Sequence, residues 1–188
     1  MSNSTKYILI GAVVLLLFYE VERQKKLHQQ TAGITDKTGD TQLLTNHVIT
    51  SDGLAINNPA NIRTNPNVTF DYEINSPSSA FKSFSSLEAN VRALRVILDH
   101  YVNSLGLTTL WQIIGRYAPA SENDTANYVH YVSDHTGYNP NEDLEAVINS
   151  GGEGLHAIIH SMLMIEQGSQ WMTTNMNDTI INNGINLA

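Results

Sequence analysis

The stretch that most limits the fold is residues 155–167, LHAIIHSMLMIEQ, followed by Gly168. Its apolar residues fall on nearly every side of a 3.6-residue repeat, so as a helix it must be surrounded by other elements. Gly168 supplies the stop. The chain is therefore predicted to be mainly α, a helical domain built round one buried helix. Glu166 sits at the carboxyl end of that helix, where burial and the helix dipole both favour a protonated carboxyl, the form a general acid needs. The plainer alternative is an exposed terminal glutamate.

A second stretch, residues 113–138, reads IIGRYAPASENDTANYVHYVSDHTGY and sets Arg116, Tyr117, Glu122, Asp124, Tyr128, Tyr131 and His135 between apolar runs. Pro119 is predicted to end the helix carrying Trp111, Ile113 and Ile114, because the residue before a proline is pushed out of the α region. Ser121 or Asn123 would cap the next helix, with acids in its first turn. Tyr128, Tyr131, Val132 and His135 recur at three and four residues and so share a face. A helix, a polar elbow and a helix can line a cleft. The plainer reading is that the acids answer the helix dipole and the tyrosines are core or rim.

Charge narrows the partners. Of a net −8, the second half is the acidic part: no lysine or arginine follows Arg116, whereas nine acids lie between Glu122 and Asp178. Such a half would repel a nucleic acid backbone, so nucleic acid is not an expected partner. The absence of cysteine excludes disulfides and thiolate metal sites. His156 and His160 are four apart, but no glutamate lies between them and no third ligand is evident, so neither metal nor cofactor is expected.

Residues 7–19, YILIGAVVLLLFY, are an unbroken apolar run of thirteen. That is shorter than the roughly 20 residues that cross a bilayer comfortably and matches a signal-peptide core. The residues that follow, EVERQKK, offer no small-residue cleavage site. The expectation is an uncleaved single-span anchor over residues 1–26, with tyrosines at the interface and local thinning making up the length. Residues 27–51 are polar and aperiodic and read as a tether.

From residue 52 a folded domain is expected to run to 172, with a polar tail, 173–188, as a surface wrap or poorly ordered end. Val68, Phe70 and Tyr72 alternate as in a short strand. Ser85 or Ser86 would cap a helix bearing Leu87, Val91, Leu94, Ile97, Leu98 and Tyr101, with Glu88 completing a capping box and Gly106 ending it. Residues 142–149 would form a short amphipathic helix, and Gly151, Gly152 and Gly154 a mobile connection.

Carboxylates, tyrosines and asparagines suit cleavage of a sugar polymer, which needs a protonated acid, stabilisation of positive charge at the anomeric carbon, and polar groups for hydroxyls and acetamides. The pieces NNPANIR, SPSSAFKSFSSLEANVRALRVIL and YAPASENDTANYV resemble a family of phage and prophage virion-associated proteins that commonly reads NNPGNIR and WAPPSENDT. The resemblance covers residues 56–138 and departs at Ala60, usually glycine, and Tyr117, commonly tryptophan. The same pieces are similar to parts of bacterial N-acetylglucosaminidases and lytic transglycosylases of the lysozyme superfamily. There a glutamate helix precedes an asparagine-rich turn and a tyrosine motif. Here the glutamate helix, MLMIEQGSQW, follows them, so the resemblance implies a permuted order.

That resemblance implies a lysozyme-like helical domain with a small β-lobe, which would follow the transmembrane helix read from residues 7–19. It implies Glu166 as general acid with Glu122 as rival, and substrate contacts from Asn58, Asn61, Tyr117, Asp124 and Tyr128. The expected partners are peptidoglycan glycan strands, a lipid bilayer at residues 7–19, and other virion proteins. Cutting would serve a virus as it enters or leaves its host, with the anchor in the virion's internal membrane or the host envelope. The alternative is a non-enzymatic structural virion protein that keeps the lysozyme-like fold. A host membrane protein trimming its own wall is a third possibility.

Overall fold

The computed structural model describes residues 57–188, so the expected anchor at 7–19 and tether at 27–51 lie outside the described residues. Among the described residues no helix is long and apolar enough to cross a membrane. They form a two-stranded antiparallel sheet, β1 (Glu73–Ile74) and β2 (Ser83–Phe84), and then seven helices. These are α1 (Leu87–Asn103), α2 (Leu110–Tyr117), α3 (Thr125–Thr136), α4 (Glu145–Ser150), α5 (Glu153–Gln167), α6 (Ser169–Asn175) and α7 (Asp178–Asn186).

Helix α5 is the buried centre. It packs against α1, α3, α4, α6 and α7, and Leu155, Ile158, Ile159, Met162 and Leu163 are at most 1% exposed. At roughly 1.5–3 kcal/mol per fully buried side chain, those five alone match the whole net stability of an ordinary domain, about 5–15 kcal/mol. The fold therefore depends on α5 being in place, and Glu166 is carried by its last turn.

Local chemistry sets the other boundaries. Ser86 caps α1 by accepting from the Ala89 amide; Ser85 is unavailable because its own amide donates to the Tyr72 carbonyl, so the expected Ser85–Glu88 box does not form. Thr109 and Gln112 make a reciprocal capping box on α2, which stops before Pro119 as predicted. The amides of Glu122 and Asn123 both donate to the Pro119 carbonyl, closing a turn through residues 119–123. The cap of α3 is consequently Asp124, not Ser121 or Asn123.

Three expectations are corrected. Val68, Phe70 and Tyr72 do not make a strand: Tyr72 has φ +62, which breaks the extended run, and pairing moves to Glu73 with Phe84 and Ile74 with Ser83. The glycine segment is not a loose connection. Gly152 caps α5 and Gly154 lies in its first turn, where a Cβ would stand 2.6 Å from Val147 Cγ1 and against the Tyr138 hydroxyl. Residues 173–188 are not a tail; they complete α6 and form α7, whose Ile181, Gly184 and Ile185 are buried. Helix α7 lies along α1, held by Arg92 Nε donating to the Leu187 carbonyl at 3.2 Å and by Arg95 donating to the Ile185 carbonyl.

The α1–α7 contact is close enough to test. A Cβ at Gly184 would lie 2.5 Å from Val91 Cβ and 2.7 Å from the Glu88 carbonyl oxygen. Alanine improves helix propensity by about 1 kcal/mol, but overpacking against a helix backbone costs about 1–3 kcal/mol. Gly184→Ala is expected to lower the urea midpoint, with a net loss of about 1 kcal/mol. A raised midpoint would mean that α7 does not dock there.

Candidate functional site

The site is built from a loop that three helices hold from behind. In residues 57–62, NNPANI, Asn57 and Asn61 have φ +37 and +52, a region that asparagine tolerates better than most residues. The chain curls tightly, with the Asn61 amide donating to the Asn58 carbonyl at 3.0 Å. Asn58 is the strut. Its Nδ2 donates to the carbonyls of Ile62 and Lys82 at 2.9 and 3.0 Å, while its Oδ1 accepts from the Ile62 amide and from Asn90 Nδ2, each at 2.9 Å.

The next peptides are tied one by one. Gln167 of α5 donates to the Pro59 carbonyl at 2.6 Å. Asn90 of α1 accepts from the Ala60 amide at 3.1 Å. Tyr117 of α2 donates to the Ala60 carbonyl. Asn57 adds a bond to the Phe84 carbonyl at 3.0 Å, linking the loop to the sheet. Buried polar groups of this kind are costly unless satisfied; here they satisfy one another, and the loop has little freedom left.

What the loop presents is Asn61. Its Nδ2 donates to Glu166 Oε2 at 2.7 Å, and Tyr128 of α3 donates to Glu166 Oε1 at 3.2 Å. One carboxylate at the end of the buried helix thus receives a donor from the loop and another from α3. Beside it, the Tyr117 hydroxyl is pushed well above the usual phenol range, first by burial, then by the Glu166 charge and then by Tyr101. It remains a neutral donor, committed to the loop.

The sequence-predicted residues separate into groups. Glu166, Asn61 and Tyr128 meet directly, with Tyr117 adjacent. Asn58 is 2% exposed and its amide is engaged on both sides; it shapes the loop and faces no cleft, contrary to the substrate contact expected of it. Asp124 accepts from the Asn127 amide at 3.1 Å as the cap of α3. Glu122 lies in the exposed elbow, paired with Arg63 at 2.8 Å. Asn90 and Gln167 were not singled out from the sequence. The available signal was Asn90 lying three residues after Leu87 and four before Leu94, a polar residue on an apolar stripe.

Two surface hollows are described elsewhere. One of about 550 Å³ is lined by Tyr72, Ser85, Glu88, Asn183 and Asn186 among others. A second, of about 310 Å³, is lined by Asp143, Glu145, Ala146 and Asn149. Glu166 lines neither of them.

No family model matches the chain. It is 32% identical over 120 residues to Protein P5 of Pseudoalteromonas phage PM2, an alignment covering 62% of this chain and 71% of that protein. Identity at this level over most of the phage protein marks common descent, and the chain belongs to the family of the phage PM2 Protein P5.

Proposed function

We propose that the chain is a membrane-anchored, virion-associated enzyme that cuts peptidoglycan glycan strands on a lysozyme-like fold, with Glu166 as general acid. One observation carries this reading: Glu166, at the end of the central buried helix, takes a hydrogen bond from Asn61 of the asparagine loop at 2.7 Å and another from Tyr128 of α3 at 3.2 Å. Those are the three segments that the family resemblance groups into one site, and they are far apart in sequence. The phage relative supports a viral setting, and the apolar run 7–19 supports a membrane anchor.

In this reading Glu166 protonates the glycosidic oxygen as the bond to the anomeric carbon breaks. Asn61 and Tyr128 orient the carboxyl group and offer polar contacts to the sugar. Water or the substrate's own hydroxyl completes the step. The test is release of soluble glycan fragments from purified peptidoglycan by the full chain. The anchor has its own test: the full chain should float with lipid vesicles, and a chain lacking residues 1–26 should remain with the soluble fraction. Flotation of both forms would remove the anchor from the account.

A second reading is favoured by a different observation. Both Glu166 oxygens already have partners within the protein, and the described hollows lie elsewhere. A structural virion protein that keeps this fold for binding would look the same. It releases no fragments from peptidoglycan.

A further inference from the structure

We propose that Arg63 is the residue by which this site recognises a carboxylate on its polymer substrate, and that Glu122 holds the arginine in place until that carboxylate displaces it. The inference rests on the glycan reading above and names the chemical class within it: a glycan strand bearing peptide carboxylates, as against a neutral one.

The described region is strongly acidic. Residues 57–188 hold thirteen acids against five basic side chains, Arg63, Lys82, Arg92, Arg95 and Arg116, so 5 − 13 = −8, the whole formal charge of the chain. An anionic polymer is repelled by such a field unless a local cation receives it. Three of the five basic residues hold the fold. Lys82 is 4% exposed and pairs with Glu73 at 2.8 Å. Arg92 pairs with Asp71 at 2.7 Å and bonds the Leu187 carbonyl. Arg95 bonds the Ile185 carbonyl and lies 3.5 Å from Asp99. Arg116 makes no ion pair among the described residues, and its charge is felt by the half-buried Tyr101.

Arg63 differs in both place and environment. It follows Asn61 by two residues, with Ile62 buried between them while Asn61 and Arg63 are both exposed. Its backbone is fixed by a bridge to Phe81, with the Lys82 amide donating to the Ile62 carbonyl at 3.0 Å and the Thr64 amide to the Ala80 carbonyl at 2.9 Å. The guanidinium carbon lies 5.9 Å from the Phe81 ring centre. The side chain is nonetheless 69% exposed and Glu122 54% exposed. A pair that open to water is worth about 0–1 kcal/mol, so exchanging Glu122 for another carboxylate costs little. Only Nη2 contacts Glu122, which leaves most of the planar donor fork available for a two-pronged contact with an arriving carboxylate.

The experiment measures binding of the full chain to insoluble peptidoglycan, and to the same material with its carboxyl groups converted to methylamides. Both are measured in a Glu166→Gln background, so that the polymer stays intact. Arg63→Gln is expected to weaken binding to the native polymer about tenfold or more, the loss of a charge-assisted contact, and to leave binding to the amidated polymer unchanged. Arg63→Lys keeps the charge without the fork and is expected to fall between. The charge swap R63E/E122R is expected to remain as weak as Arg63→Gln, because the pair is restored but the cation no longer sits on the loop. Recovery of binding in the swap would show that the pair is only a strap and overturn the inference. Equal affinity of Arg63→Gln and its parent for native polymer, or equal loss on both polymers, would overturn it while leaving the proposed function standing. If the parent binds neither polymer, the proposed function falls and this inference with it.

Discussion

Glu166→Gln is expected to lower fragment release from peptidoglycan about a thousandfold, within the range that a positioned general acid contributes, while leaving the melting temperature within a few degrees of the parent. The chemistry is lost because an amide has no proton to give at working pH. The fold is kept because the amide fits the same partners. Its oxygen can accept from Asn61 Nδ2, and its NH2 can donate to the Tyr128 hydroxyl, which reverses from donor to acceptor by rotating its proton. The backbone anchor beside it is untouched, since Gln167 still donates to the Pro59 carbonyl. Activity and thermal melting measured on one preparation separate the two effects. A mutant that is inactive because it has unfolded would count against the geometry described.

Asn58→Leu is expected to give the largest loss of stability of any substitution in the loop. Leucine matches the volume but offers none of the bonds, so the Ile62 and Lys82 carbonyls, the Ile62 amide and Asn90 Nδ2 all lose a partner in a site that is 2% exposed. Each buried group left unsatisfied costs about 1–3 kcal/mol, and the gain from burying leucine, about 1.5–3 kcal/mol, offsets only part of it. A net loss of about 4 kcal/mol or more is expected, seen as a fall in melting temperature of about 10 °C or more. Were Asn58 a substrate contact instead, stability would hardly move and only binding would suffer. Thermal melting without any ligand distinguishes the two roles.

The central helix and the place of Glu166 at its end were legible in the sequence because apolar periodicity over thirteen residues leaves few alternatives. The boundary at Pro119 was legible for a steric reason that holds in any context. The asparagine loop was legible as a turn, but the roles within it were not. Asn57, Asn58 and Asn61 are the same residue type within five positions, and which of them turns inward depends on the left-handed φ at Asn57 and Asn61, which asparagine permits without requiring. Residues 68–72 alternate as a strand would, and one left-handed residue, Tyr72, overrode the pattern. Helix α7 was hidden by composition: its asparagines read as a tail, although Ile181 and Ile185 recur at helical spacing and Asn177 caps the helix by accepting from the Ile180 amide at 2.9 Å. Those local signals are weak in a short helix, and tertiary burial against α1 decides the segment.

Arg63 pairs with Glu122 at 2.8 Å. The pair gives the two candidate acids different surroundings. Glu122 is matched by a guanidinium in open solvent, whereas Glu166 is half-buried and held by two neutral donors.

The account is tested most directly by measuring fragment release from purified peptidoglycan for Glu166→Gln and Glu122→Gln side by side, with the parent chain as reference. The expected result is no detectable release by the first and partial activity in the second, which loses only an exposed ion pair. Retained activity in Glu166→Gln together with its loss in Glu122→Gln would contradict the assignment and move the catalytic role to the elbow.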